Sequence, residues 1–266
     1  MLMPSRHHPL TCFLVLSLAA AILFPSMPAR CGPGDEEEKG RTILIDSLEK
    51  RGGRKALEAI KDYELLLKGT GKASSGAVRQ VTTTRKVLYG KEPCLIHDSV
   101  IKAGGSRYLA RFTLKGSKGY YQTKFGGQPL HASAVAKQWA GHHRSSLGIL
   151  RVLLTPEIKV DYVGKGEVRE KTTEVIRIRR KGEPPLKVDV DPETGFFLRV
   201  RWKERPKSGA PPEPHEILYG DFQDFGGLKG IPARAEVRIS GGLVMSRKTG
   251  SAKVNTGLKP SDFKMP

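Results

Sequence analysis

The alternation in three separated stretches constrains the fold more than any other feature of the chain. In "VIRIRR" Ile176 and Ile178 share one side and Arg177 and Arg179 the other. In "FFLRVRW" Leu198, Val200 and Trp202 oppose Arg199 and Arg201, and in "AEVRIS" Val237 and Ile239 oppose Glu236 and Arg238. Successive side chains of a strand point to opposite faces, so a period of two means strands with one apolar face and one charged face. An extended sheet of this kind must cover its apolar face by curling on itself, by packing a second sheet or by receiving a helix.

The rest of the chain supplies the strands and the cover. "AVRQVTTTRKVLYG", "PCLIHDSVIKAGG", "SRYLARFTLKG" and "GYYQTKFGG" are rich in β-branched and aromatic residues and bounded by glycine, which reads as strands. After residue 156 further strands recur about every ten residues with turn signals between them, the pattern of an antiparallel meander. "DPETG" (Asp191 to Gly195) is a tight turn, and "KSGAPPEP" (207–214) an exposed loop. Two stretches break the strand pattern. Ile43, Leu44 and Leu48 lie at helical spacing before Gly52 and Gly53, with Leu57 and Ile60 in a further short turn. In 131–154, Val135, Trp139, Leu147, Leu150 and Leu154 recur at helical intervals, and Pro156 ends the run. These two segments are the natural lid.

The first 31 residues stand apart. A short polar start (Arg6, His7, His8), the uncharged "LTCFLVLSLAAAILF" and the proline-containing "PSMPARCGPG" have the three-part layout of an export signal. A membrane anchor is the competing reading, and Pro25, Pro28 and the polar run that follows favour cleavage. Two cleavage types fit. Cys31 stands where an acylated lipoprotein cysteine would, but Arg30 precedes it where such sites want a small residue; Ala29 suits ordinary cleavage instead. The acidic run at 32–40 reads as a solvated tether, leaving 41–266 as one domain. An exported protein in the periplasm or cell envelope is expected. Cys12 and Cys31 fall within the signal, so Cys94 has no partner and the domain is held by burial and not by disulfides.

Composition excludes more than it assigns. The formal charge is +19, of which Arg6 and Arg30 supply two, but nine Phe among 46 Lys and Arg make no stacking platform for nucleic acid. The basic residues suit either a solvated outer face that guards strand edges or attraction to an anionic membrane surface. His142 and His143 are adjacent, so on a helix they point about 100° apart and do not share a metal. "HRSSLG" has serines near histidines without a nucleophile elbow, which reads as a solvated helix edge. Asp221 and Asp224, near Gly226 and Gly227, read as turn formers bonding nearby amides. No catalytic residues, metal or cofactor are expected, and the chain is expected to be a monomer.

Four ordered landmarks carry a resemblance. "GGRKALEAIKDYELLLKGTG", "VDVDPETGFFLRV", "YGDFQDFGGLKGIPARAEVRIS" (through Tyr219, Asp221, Phe225, Gly227, Leu228 and Pro232) and the closing "VNTGLKPSDFKMP" (through Asn255, Leu258 and Phe263) resemble, in the right order, segments of the exported bacterial lipoprotein-carrier proteins of the LolA/LolB-like superfamily. The resemblance implies a mainly β (α+β) fold: a strongly curved antiparallel sheet forming an unclosed β-barrel, with helices over its mouth and an apolar cavity for acyl chains. It implies a non-enzymatic protein holding a lipid or an acylated lipoprotein. The cavity would be lined by Leu65, Ile176, Ile178, Val188, Leu198, Val200, Trp202, Ile217, Val237 and Ile239 from the strands and by Trp139 and Leu150 from the lid. The alternative is a structural or interaction module of the envelope, whose basic face binds an anionic polymer or a protein.

Overall fold

Thirteen segments of period-two sequence become strands in the computed structural model, which describes residues 33–72, 76–155, 157–206 and 209–266. The expected export signal, Cys31 and Pro156 lie outside the described residues. Helices α1 (Pro33–Lys50) and α2 (Gly53–Ala59) come first. Next are β1 (Asp62–Lys72), β2 (Val78–Leu88), β3 (Cys94–Ala103), β4 (Ser106–Lys115), β5 (Lys118–Thr123) and β6 (Gly126–Pro129). A helical stretch follows: α3 (Ala132–His143), α4 (Ser146–Leu150) and a 3₁₀ turn (Arg151–Leu154). The chain finishes with β7 (Lys159–Val168), β8 (Lys171–Arg179), β9 (Leu186–Val190), β10 (Phe197–Glu204), β11 (Glu213–Phe225), β12 (Leu228–Ile239) and β13 (Gly242–Val254).

All thirteen strands belong to one sheet, in the order β6-β5-β4-β3-β2-β1-β13-β12-β11-β10-β9-β8-β7. Two antiparallel meanders are thus joined where the last strand pairs with the first, Tyr63 opposite Val254. Strands β6 and β7 are the two edges and do not pair with each other, so the barrel is unclosed. The chain leaves the sheet at one edge and re-enters at the other, and the helical stretch makes that crossing. The edges are blunted differently. Strand β6 is four exposed residues with two glycines and a proline. Strand β7 is covered by α1, where Arg41 donates to the Ile158 carbonyl at 3.1 Å and the Lys39 ammonium sits 3.6 Å from the Tyr162 ring centroid.

That packing corrects the tether reading of 32–40. A Cβ on Gly40 would fall 2.6 Å from the Asp161 carbonyl carbon, so the missing side chain lets the helix lie directly on the strand. Asp35 and Glu36 occupy the first turn of α1, where carboxylates complement the helix dipole. Gly40, Leu44, Ser47, Leu48 and Arg51 then form one buried stripe. The acidic run is the start of a structural helix.

The inner face of the sheet and the helices share one core that includes Leu44, Leu57, Leu150, Ile176, Val188 and Phe197. A bulge between Phe197 and Arg199 corrects the alternation in "FFLRVRW". It leaves two successive residues on the same side, so Phe197, Val200 and Trp202 enter the core while Leu198 joins Val168 and Leu218 in a separate cluster. A third cluster explains the terminal landmark. Asn255 donates to the Ala59 carbonyl and accepts from the Lys61 amide. Asp62 accepts from the amides of Thr256 and Gly257. Leu258 and Phe263 are thereby laid over Cys94 and Ile96.

Candidate functional site

Cross-strand register places the inward side chains of the first meander. Strand β1 contributes Tyr63, Leu65 and Leu67, opposite Val87, Arg85 and Thr83 of β2. Arg85 in turn faces His97 of β3. From the other side Arg247 of β13 faces both Gly69 of β1 and Ala235 of β12. A Cβ on Gly69 would lie 2.0 Å from the Ser246 carbonyl oxygen and 2.7 Å from the Arg247 Cα, so this close approach of β1 to β13 requires glycine. The concave face is therefore apolar beneath the helices and turns polar toward the far ends of β1, β2 and β13.

The helical crossing is fastened over this face by polar bonds. Arg51 is fully enclosed: its Nε donates to the Lys229 carbonyl at 3.0 Å and its Nη2 to Ser146 Oγ at 2.9 Å and the Gly230 carbonyl at 3.0 Å. Burial pulls its pKa down to about 10. Tyr219 donates from its hydroxyl to the Arg144 carbonyl at 2.9 Å. The Arg144 guanidinium lies over the Trp202 ring and reaches Glu204 at 3.1 Å, and Lys137 reaches the same carboxylate at 3.0 Å. Burial alone would raise the Glu204 pKa, but hydrogen bonds from Lys137 and the Trp202 indole, with the charges of Arg144 and Lys137, bring it to about 2. His142 sits between the hydroxyls of Tyr63 (3.4 Å) and Tyr89 (3.5 Å), and burial, then the charge of Arg85, holds its pKa well below 6.5. The "HRSSLG" segment is thus no solvated edge: Arg144, Ser146, Leu147 and Gly148 are buried.

Two clefts flank the crossing and a third lies on the strands. The first, about 70 Å³, lies between α4 and strands β1, β12 and β13, where Leu65, Leu67, Leu147 and Ile231 meet Arg85 and Arg247. A second of about 500 Å³ opens beside Trp139, with Tyr89, His143, Arg151 and Arg180. The third, about 600 Å³, lies at the strand ends around Trp202, Pro214 and His215. Among the described residues no three His, Cys, Asp or Glu side chains cluster as metal ligands.

The fold is shared with solved structures. A putative outer-membrane lipoprotein-sorting protein domain from Vibrio parahaemolyticus matches 86% of this chain and 97% of its own, with a TM-score of 0.52 at 13% identity. A LolA superfamily protein from Nitrosomonas europaea matches 85% and 97%, with a TM-score of 0.55 at 13% identity. The fold is LolA-like. A DUF1329 family protein from Desulfovibrio piger is similar over 86% of this chain and 97% of its own, with a TM-score of 0.53 at 11% identity. No protein-family model and no curated protein sequence matches the chain. At these identities the likeness is one of fold.

Within the LolA-like sheet the residues expected to line a cavity are divided. Ile176, Ile178, Val188, Val200, Trp202, Ile217 and Leu150 are packed together in the main core, and Trp202 also borders the third cleft. Leu65 and Val237 lie at its margin, and Leu65 lines the 70 Å³ cleft. Ile239 is half-buried near the end of β12, opposite His215, and is not part of that core. Leu198 is on the other side of the bulge. Trp139 borders the second cleft, where its indole donates to the Gly116 carbonyl at 2.9 Å. Asp221 and Asp224 do not shape the turn as expected. Asp221 is within β11 in the left-handed conformation (φ 51°), 3.7 Å from the Lys248 ammonium, and Gly226 and Gly227 form the bend. Sequence reasoning missed Arg51, Arg85 and Arg247. For the latter two a signal was present: each is a charged residue at an inward position, Arg85 between Thr83 and Val87, and Arg247 two after Met245.

Proposed function

We propose that the protein is an exported, non-enzymatic carrier or binding protein of the cell envelope, which takes the acyl part of a lipid or lipoprotein on the concave face beneath the helical crossing. The observation that carries this reading is the cleft between α4 and the β1–β13 junction, where Leu65, Leu67, Leu147 and Ile231 are brought to one opening. The fold supports it, since two structures of this shape are described as a lipoprotein-sorting domain and a LolA superfamily protein. Burying an acyl chain contributes about 0.8 kcal/mol per CH₂, so apolar lining is sufficient chemistry without a catalytic group.

The size of the cleft adds a requirement. Ligand pockets run from about 300 to 1,000 Å³, and 70 Å³ holds no acyl chain. The conformation described is the closed one, and cargo enters as α4 moves off β1 and β12. What resists this is the burial of Leu147, Ile149 and Leu150 in the core together with the bonds of Arg51 to Ser146, Arg180 to the Gly148 carbonyl and Tyr219 to the Arg144 carbonyl.

The test is organic extraction of the purified full chain followed by mass spectrometry, with displacement of a fluorescent fatty acid as a second readout. Stoichiometric co-purified lipid or saturable displacement is expected. A chain that carries no lipid and binds no fatty acid would sink the proposal.

A further inference from the structure

We propose that Arg85 and Arg247 form a recognition site for the anionic group of an acidic amphiphile, a phosphate or carboxylate borne on an acyl chain. This rests on the lipid-binding reading and adds the class of head group.

The two guanidiniums come from strands on opposite sides of β1, Arg85 on β2 and Arg247 on β13, and line the same cleft as Leu65, Leu67, Leu147 and Ile231. No Asp or Glu lines it among the described residues. Arg85 is 8% exposed and its Nε has no hydrogen-bond partner. Other buried arginines also leave one nitrogen without a partner, Arg51 Nη1 and Arg144 Nε among them, but each is held through its other nitrogens by a carboxylate or a carbonyl: Arg144 by Glu204, Arg177 and Arg179 by Asp161, Arg199 and Arg201 by Asp189, Arg51 by two carbonyls and Ser146. At the cleft Arg85 and Arg247 share one lining that includes the Tyr63 hydroxyl, which bonds to Arg85, and no carboxylate. Burial and the charge of Arg85 pull Arg247 down to about 10, and burial and both charges press His97 down to about 3, leaving it neutral.

A buried cation without a counter-charge is costly. A bound anion removes that cost, and the guanidinium fork fits phosphate and carboxylate oxygens in paired hydrogen bonds. Because the apolar residues of the same cleft adjoin the two forks, one ligand satisfies both parts only if it carries its negative charge at the end of an acyl chain. A free anion would leave the leucines wet, and an uncharged amphiphile would leave the arginines unmatched.

Calorimetric titration of the full chain tests this with three probes: a lysophosphatidic acid, an uncharged monoacylglycerol of the same chain, and inorganic phosphate. The expected order has the acidic lipid bound about ten- to a hundredfold more tightly than the uncharged one, with phosphate weakest. Arg85→Gln and Arg247→Gln are each expected to abolish the preference of the acidic lipid over monoacylglycerol, and Arg247→Lys to keep part of it. The selectivity of the unsubstituted chain is decisive even if a variant fails to fold. Equal binding of both lipids overturns the head-group site and leaves the lipid reading standing. Phosphate bound as tightly as the acidic lipid overturns the amphiphile, and no binding of either lipid overturns both readings.

Discussion

Asp189 is wholly enclosed on the strand face that the sequence marks as basic. Its carboxylate accepts from Thr173, Arg199 and Arg201, and Asp161 is held in the same way by Arg177 and Arg179. The arginines that the alternation offers as a free cationic surface are therefore the cover of buried carboxylates, which weakens the reading of that face as a polymer-binding one. Removing one partner of a buried pair costs about 3–5 kcal/mol when the charge left behind is itself buried; Arg199 and Arg201 keep part of their side chains in solvent, so Asp189→Ala should lower chemical-denaturation stability by less than that, about 1–3 kcal/mol. Ile176 is fully buried in the main core. Ile176→Ala is expected to cost about 2–5 kcal/mol, measured in the same way. A loss well under 1 kcal/mol would mean that Ile176 lines a cavity after all.

At the scale of the element, α1 and the α3–α4 crossing behave differently from the sequence expectation in one case and as expected in the other. The "GDEEEKG" run is rich in charge, and charge runs ordinarily favour solvent. What overrides this is the seat of α1 on β7, through the close approach of Gly40 and the contacts of Lys39 and Arg41, and no periodicity records the first because glycine carries no hydrophobic signal. Deleting 33–40 should lower the melting temperature of the chain, by about 2–4 °C for each kcal/mol lost; a tether would leave it unchanged. The crossing is latched through Glu204. A carboxylate held near 2 by its partners, against an ordinary 4.5, stabilises the fold fully above pH 4.5 and loses that contribution as the pH falls toward 2. Stability measured between these values should fall with acid. Glu204→Gln should flatten that part of the profile and speed amide exchange in α3 and α4.

For the whole molecule, the excess of basic residues survives the internal pairing, since 46 Lys and Arg face 27 Asp and Glu. Attraction to anionic vesicles is expected at low salt and should weaken as the screening length shortens toward about 10 Å at 0.1 M; co-sedimentation across a salt series checks it. The sequence by itself determined the strands, the two helical interruptions, and the one-sided apolar sheet that has to be covered. These are local properties, written as a period of two or of 3.6 over a few residues. It also placed landmarks whose roles are now physical: Asp191 accepts from the Glu193 amide in its turn, and Asn255 ties the terminus to the end of α2. Only the tertiary structure decided which inward residues become core and which border an opening. A bulge at Leu198 shifts a face by one residue, the β1–β13 pairing brings together strands about 180 residues apart in the chain, and Arg85 and Arg247 come to line one cleft only through that pairing. Such juxtapositions depend on register between distant strands, and no local pattern in the chain encodes them.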